Sequence, residues 1–89
     1  MRKTVLKSRF GRDLKRIKKR NKNEQKLLAI VYILLQNATL PSSAHPHKLS
    51  GEYEGWWECH IESDWLLIYL VTETELILYR TGTHADLFE

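Results

Sequence analysis

The chain has 89 residues, 43% of them hydrophobic and 28% charged, with a formal net charge of +3; this suits one small domain built on a single core and leaves no room for a second. Its one cysteine, Cys59, excludes an internal disulfide framework, and no Cys/His spacing resembles a structural zinc site. The longest apolar run, Leu27 to Leu35, is too short to span a bilayer and the N-terminal stretch lacks the apolar segment of a signal peptide, so a soluble protein of the reducing cytoplasm is expected.

Lys3 to Lys7 alternates weakly and reads as a first strand, with Ser8 or Gly11 marking entry into a helix. Phe10, Leu14 and Ile17 fall at i, i+4 and i+7, one narrow apolar stripe on a helix otherwise covered by Arg12, Lys15, Arg16, Lys18, Lys19 and Arg20. Asn21 to Asn23 interrupts the pattern, and Asn21 with Glu24 three residues on signals the start of a second helix. Leu27, Leu28, Val31, Leu34 and Leu35 are expected to form its buried face, and the helix must end between Asn37 and Pro41. Charge is divided along the chain. Residues 1–26 hold 12 Lys/Arg against Asp13 and Glu24, a net of +10, whereas residues 27–89 hold Lys48 and Arg80 against nine acids, a net of −7. So dense a basic half is the footprint of a polyanion binder, since each neutralised phosphate releases counterions. Nucleic acid is the leading partner, with Lys22 and Lys48 adding to the helix cations; the alternatives are a solvated helix face or an acidic protein.

From His47 to Phe88 the chain reads as a three-strand meander: Trp56 to Ile61, Trp65 to Val71, and Leu76 to Tyr79, joined by turns at Glu62–Ser63 and Thr72–Thr74. Antiparallel order sets the end of the first strand beside the start of the second, and the start of the second beside the end of the third. His60, Asp64 and Arg80 are therefore expected at one edge, with His84 folding back past Gly82 and His47 entering from the preceding loop. Each residue also has a plainer reading: Asp64 as a turn former, Arg80 paired with Glu58 or Glu75, Phe88 as a terminal anchor, and His45, His47 and His60 as a weak metal set. Cys59 alternates with His60 and belongs to the core, while Trp65 to Leu70 is apolar throughout, as a strand covered on both faces would be. The order strand, helix, helix, three strands predicts an α+β fold with both helices on one face of a mainly antiparallel sheet.

The strings H-x-L-x-G, G-W-W-E-C-H-I-E-S-D-W-L-L-I-Y and L-Y-R-T-G-T-H-A-D-L-F resemble, as a set and over nearly the whole chain, the YafQ branch of the RelE-type bacterial toxins. The resemblance implies a RelE-like fold and a ribosome-dependent mRNA endonuclease held inactive by a cognate antitoxin, with operator DNA bound only through that antitoxin. It carries His47, His60, Asp64, Arg80, His84 and Phe88 over as site residues, and it departs at Trp57, where the family usually has Arg. The chemistry is consistent on independent grounds. RNA cleavage by its own 2′-OH needs a base for that hydroxyl, an acid for the departing 5′-oxygen and cations for the charged transition state, and imidazoles suit both proton roles near neutral pH. His84 is expected as general acid, with His60 and Asp64 on the base side, His47 on phosphate or assisting the base, Arg80 gripping phosphate and Phe88 stacking on a base. Neither cofactor nor metal is expected. A ParE-like topoisomerase inhibitor and a non-catalytic RNA-binding module are the other readings; neither needs imidazoles clustered beside a carboxylate.

Overall fold

A computed structural model describes all of residues 1–89. Strand β1 (Lys3–Leu6) leads into helix α1 (Ser8–Lys19), and Asn21, in the left-handed conformation that asparagine tolerates, turns the chain toward helix α2 (Glu24–Leu35). The cap of α2 is Asn23, not the expected Asn21; its side chain accepts from the Gln25 amide at 3.0 Å. A 3₁₀ turn (Ser42–Ala44), the two-residue strand β2 (His47–Lys48) and a second 3₁₀ turn (Gly51–Tyr53) precede the meander of β3 (Trp57–Glu62), β4 (Trp65–Val71) and β5 (Glu75–Gly82). A short helix, α3 (His84–Phe88), follows. No helix is long and apolar enough to cross a membrane.

The five strands lie in the order β1-β5-β4-β3-β2, antiparallel except for β1, which pairs parallel with β5 from Lys3↔Glu75 to Leu6↔Leu78. Helices α1 and α2 cover one face. Phe10 and Ile17 from α1, and Leu27, Ile30 and Leu34 from α2, pack there with Cys59, Trp65, Leu67, Tyr69, Leu76 and Leu78. The buried stripe of α2 thus runs at i, i+3 and i+7; Leu28, expected inside, points to solvent because it sits one residue off that stripe, and Leu35 and Val31 are only partly buried. The opposite face carries a smaller cluster of Tyr53, Leu66, Ile68 and Leu87, roofed by the second 3₁₀ turn and α3. Central β4 is thereby covered on both sides, which is why Trp65 to Leu70 shows no polar alternation. The indole of Trp65 is fully buried yet satisfied: Nε1–H donates to the Thr81 hydroxyl at 2.9 Å, which donates in turn to the Leu66 carbonyl at 2.7 Å.

Two elements that the sequence pattern does not disclose shape the site. Strand β2 covers only the Trp57–Glu58 stretch of β3, leaving the rest of that edge to the first 3₁₀ turn. Helix α3 starts with a capping box, in which the Thr83 hydroxyl accepts from the Asp86 amide at 3.1 Å and the Asp86 carboxylate accepts from the Thr83 amide at 2.9 Å. That carboxylate also explains Gly82. Gly82 has a φ of 159°, which residues with a side chain rarely adopt, and a Cβ there would come within 2.8 Å of Asp86 Oδ2.

Candidate active site

The register His60↔Leu66↔Gly82 runs a row of residues across β3, β4 and β5 on the face away from α1 and α2, and α3 begins two residues past Gly82. Strand geometry therefore delivers His60 and His84 to one place; their ring centroids are 6.0 Å apart. Asp64, in the β3–β4 turn, holds His84 twice: its Oδ1 accepts from the His84 amide at 3.0 Å and lies 2.6 Å from Nδ1. An ionised carboxylate only accepts, so Nδ1 carries the proton and Nε2 is the nitrogen left for chemistry. These two bonds from His84, the backbone one foremost, hold the Asp64 carboxyl below the usual carboxylate range although it is well exposed. Asp64, expected on the base side with His60, makes its hydrogen bonds to His84 instead, because the tight β3–β4 turn points its carboxylate at the start of α3. Phe88, one turn on, is 44% exposed, with its ring 6.3 Å from His84 and edge-to-face on Tyr53. Its neighbour Leu87 is the anchor, buried beside Ile68, so Phe88 keeps a free flat surface.

Two of the expected site residues lie elsewhere. The ring of His47 is turned from the row: Nε2 is 3.2 Å from the buried Glu58 carboxylate, its pairing partner on β3, and Nδ1 is 3.1 Å from the His45 carbonyl. Arg80 stands two register rows along, opposite Ile68, and is buried. Its Nε and Nη2 donate to Asp13 at 2.6 and 3.0 Å, and Nη1 lies 3.4 Å from the Tyr53 hydroxyl, which donates to the Leu87 carbonyl. The Asp13 hydrogen bonds raise an already high guanidinium pKa further. Neither Glu58 nor Glu75 is the partner. The signal for this pairing is the position of Asp13, an acid at i+3 on the apolar stripe of a basic helix, where burial demands a cation. The guanidinium of Arg80 instead opens on a polar hollow of about 230 Å³ shared with Arg9, Arg12 and Arg16.

The imidazole that does join the row is His45. Its ring meets that of His60 edge-to-face with centroids 5.6 Å apart, and the three histidines run 45, 60, 84 toward Phe88. His45, His47 and His60 do not converge on a common point, and no three His, Cys, Asp or Glu side chains are arranged to hold a metal ion. Cys59 faces the helix side, fully buried, and burial pushes its thiol up to about 12, so it is no nucleophile. Trp57 shares that side: it lines an apolar hollow with Leu34, Tyr69 and Val71, away from His60.

Among the helix cations, Arg12, Lys15, Lys18 and Lys19 are exposed and make no side-chain ion pair. Lys48, on the short edge strand, is likewise exposed. Arg20 and Lys22, expected on the same binding face, are instead engaged. Arg20 forks onto Asp86 at 2.7 and 3.2 Å with Arg16 beside it at 3.5 Å, and Lys22 joins Lys26 on Glu62 at 3.1 and 2.9 Å. Both ion pairs tie the helical hairpin to the elements that carry the histidines.

Residues 2–89 match the sequence model of the family described as the bacterial toxin of type II toxin–antitoxin systems, YafQ. The mRNA interferase toxin YafQ of Escherichia coli strain K12 is 40% identical over 80 residues, covering 89% of this chain and 87% of the relative. The crystal structure of YafQ from E. coli BL21(DE3) superposes with a TM-score of 0.94 at 36% identity over the whole of both chains. The toxin in the E. coli DinJ–YafQ toxin–antitoxin complex does so with a TM-score of 0.91 at 37% identity, over 99% of this chain and 98% of that one.

Proposed function

The chain belongs to the YafQ family of bacterial type II toxins, and from that premise we propose that it is an mRNA interferase, a ribosome-dependent endoribonuclease restrained by a cognate antitoxin. The observation that carries the chemistry is the Asp64–His84 pair set 6.0 Å from His60. A phosphodiester placed between the two rings meets an acid and a base on opposite sides. His60 takes the proton of the 2′-OH as its oxygen bonds to phosphorus. His84, with Nδ1–H held by Asp64, gives the Nε2 proton to the 5′-oxygen as the P–O5′ bond breaks. The products are a 2′,3′-cyclic phosphate and a 5′-OH, and the proton count balances. Asp64 stabilises the imidazolium that acts as acid, the role of an orienting carboxylate behind a proton-transferring histidine.

The remaining site residues support this step. Phe88 offers a stacking surface beside His84, a contact that contributes about 1–3 kcal/mol per base in single-strand binders. Arg80 fixes α1 against β5, and its hollow, four guanidiniums against Asp13, suits a backbone phosphate of mRNA or rRNA. Arg12, Lys15, Lys18 and Lys19 supply further phosphate contacts. His47 acts from outside the reacting pair, bracing the His45 carbonyl and Glu58. The antitoxin needs only to cover this basic face or the imidazole row to silence the protein. The test is end mapping on a translated message after induction without antitoxin: upstream fragments should end in 2′,3′-cyclic phosphate and downstream fragments begin with 5′-OH. Intact messages alongside broken chromosomal DNA would overturn the reading.

A further inference from the structure

His45 is held in an unfavourable backbone conformation. Its φ of 45° and ψ of 56° lie in the left-handed region, disfavoured for a non-glycine residue, and Pro46 follows, before which extended backbone is preferred. Such a conformation persists only where the surroundings impose it, and here it has two results. It turns the His45 carbonyl to face His47 Nδ1 at 3.1 Å, and it lays the His45 ring edge-to-face against His60 at 5.6 Å. Both rings line a cleft of about 520 Å³, with Pro41, Ser43 and His45 on the 3₁₀-turn side, His60, Glu62 and Ser63 on the β3 side, and Ile30 of α2 contributing apolar surface. The volume is that of a small-ligand site, and the lining mixes apolar surface from Ile30 and Ile61 with the hydroxyls and imidazoles of Ser43, His45, His60 and Ser63.

We propose that this cleft is a subsite for the nucleotide next to the scissile phosphate, with His45 as the residue that contacts its base. The proposal rests on the ribonuclease reading above and adds a residue and a binding position to it. Three features select a nucleotide. The cleft begins at His60, one ring removed from the His60–His84 gap where the phosphodiester sits, so a strand crossing that gap continues into it. His45 is exposed and presents an aromatic ring together with nitrogens able to give or take a hydrogen bond. The hydroxyls of Ser43 and Ser63 can each donate to or accept from a base edge. His47, with both ring nitrogens facing Glu58 and the His45 carbonyl, is already occupied.

The experiment titrates uncleavable 2′-O-methyl trinucleotides of A, C, G and U, in turn, into the purified protein while NMR follows the four imidazoles. At least one should shift His45 and His60 together and leave His47 unmoved. His45→Asn and His45→Gly both tolerate the left-handed backbone but lack the ring; they should fold as stably as the parent and bind that trinucleotide at least about tenfold more weakly. In ribosome-dependent cleavage the same variants should raise KM by a similar factor with kcat changed only a few-fold. Unaltered binding in both variants, or shifts that fall on His47 and spare His45, would overturn the subsite. If the trinucleotide moves His45 and His60 but the parent protein cuts no translated message, the subsite stands and the ribonuclease reading fails. Efficient cleavage with no response at His45 would leave the ribonuclease reading standing and remove the subsite.

Discussion

Asp64 spends both its contacts on His84, and this separates the roles of the two histidines. Replacing His84 with Gln keeps a side chain of similar reach that still hydrogen-bonds but cannot titrate, so cleavage should fall by at least about 10²-fold while ribosome affinity stays close to the parent value. Single-turnover cleavage and ribosome co-sedimentation check the two halves separately; lost co-sedimentation would make His84 a contact residue. A different outcome is expected at Asp13. Removing its carboxylate leaves the Arg80 guanidinium, 8% exposed, without its charge partner. Asp13→Ala should therefore cost about 3–5 kcal/mol, as for other buried pairs broken on one side. In a domain of this size that lowers the melting midpoint by more than about 12 °C. Strand order makes legible that His60 and Asp64 share one edge, and the bend past Gly82 adds His84; Arg80, expected there from the same order, turns to Asp13 instead. What spacing conceals is which neighbour each side chain takes: Asp64 takes His84 over His60, Arg80 takes a residue 67 positions away, and His45 displaces His47 from the row through a single left-handed residue.

Helix α3 is the element on which the site turns, and it is five residues long, far below the length at which a helix holds itself together. Its stability is borrowed from the Thr83–Asp86 capping box and the Arg20 fork on Asp86. The hydrogen bond from Arg20, followed by that from the Thr83 amide, drives the Asp86 pKa far below its ordinary value. A depressed carboxylate stabilises the fold above its unfolded pKa near 4 and loses that contribution as pH falls through the folded value. Acid should thus loosen α3 first: on lowering pH from about 4, amide exchange at Asp86 to Phe88 should accelerate before the core strands respond, and Asp86→Asn should show that looseness already at neutral pH. Helix α1 carries a separable property. Changing Lys15, Lys18 and Lys19 together to Ala removes three exposed cations without touching the ion pairs to Asp86 or Glu62. It should weaken ribosome binding and flatten its log–log salt dependence by up to ~2–3, measured by co-sedimentation across a salt series. The long helices and the meander are readable because their periodicities run over many residues. Elements of two and five residues, β2 and α3, have no period to read, and only the Thr83-to-Asp86 spacing hints at the second.

Across the whole molecule the division of charge becomes a means of assembly. The basic N-terminal segment and the acidic remainder meet at two joints, Arg20–Asp86 and Lys22/Lys26–Glu62, which tie the helical hairpin to α3 and β3, the carriers of His84 and His60; Asp13–Arg80, of reversed polarity, ties α1 to β5. The sheet repeats the arrangement, since β1 lies against β5 and not against β4 or β3. This order has a consequence in time. Protein synthesis proceeds from the N-terminus, so β1 and the cations of α1 emerge early and wait, unpaired, for residues 75–88 to be made. Loop closure over that span is slow, and nothing local rewards it beforehand. A nascent chain arrested with residue 74 just emerged should remain protease-sensitive and unable to cut RNA, whereas one with residue 88 free should fold and become active. Pulse proteolysis of stalled ribosome complexes at the two lengths measures this directly. A toxin wired first strand to last cannot cleave RNA until its last strand and α3 have left the ribosome, so its activity is withheld from the nascent chain through most of the making of this domain.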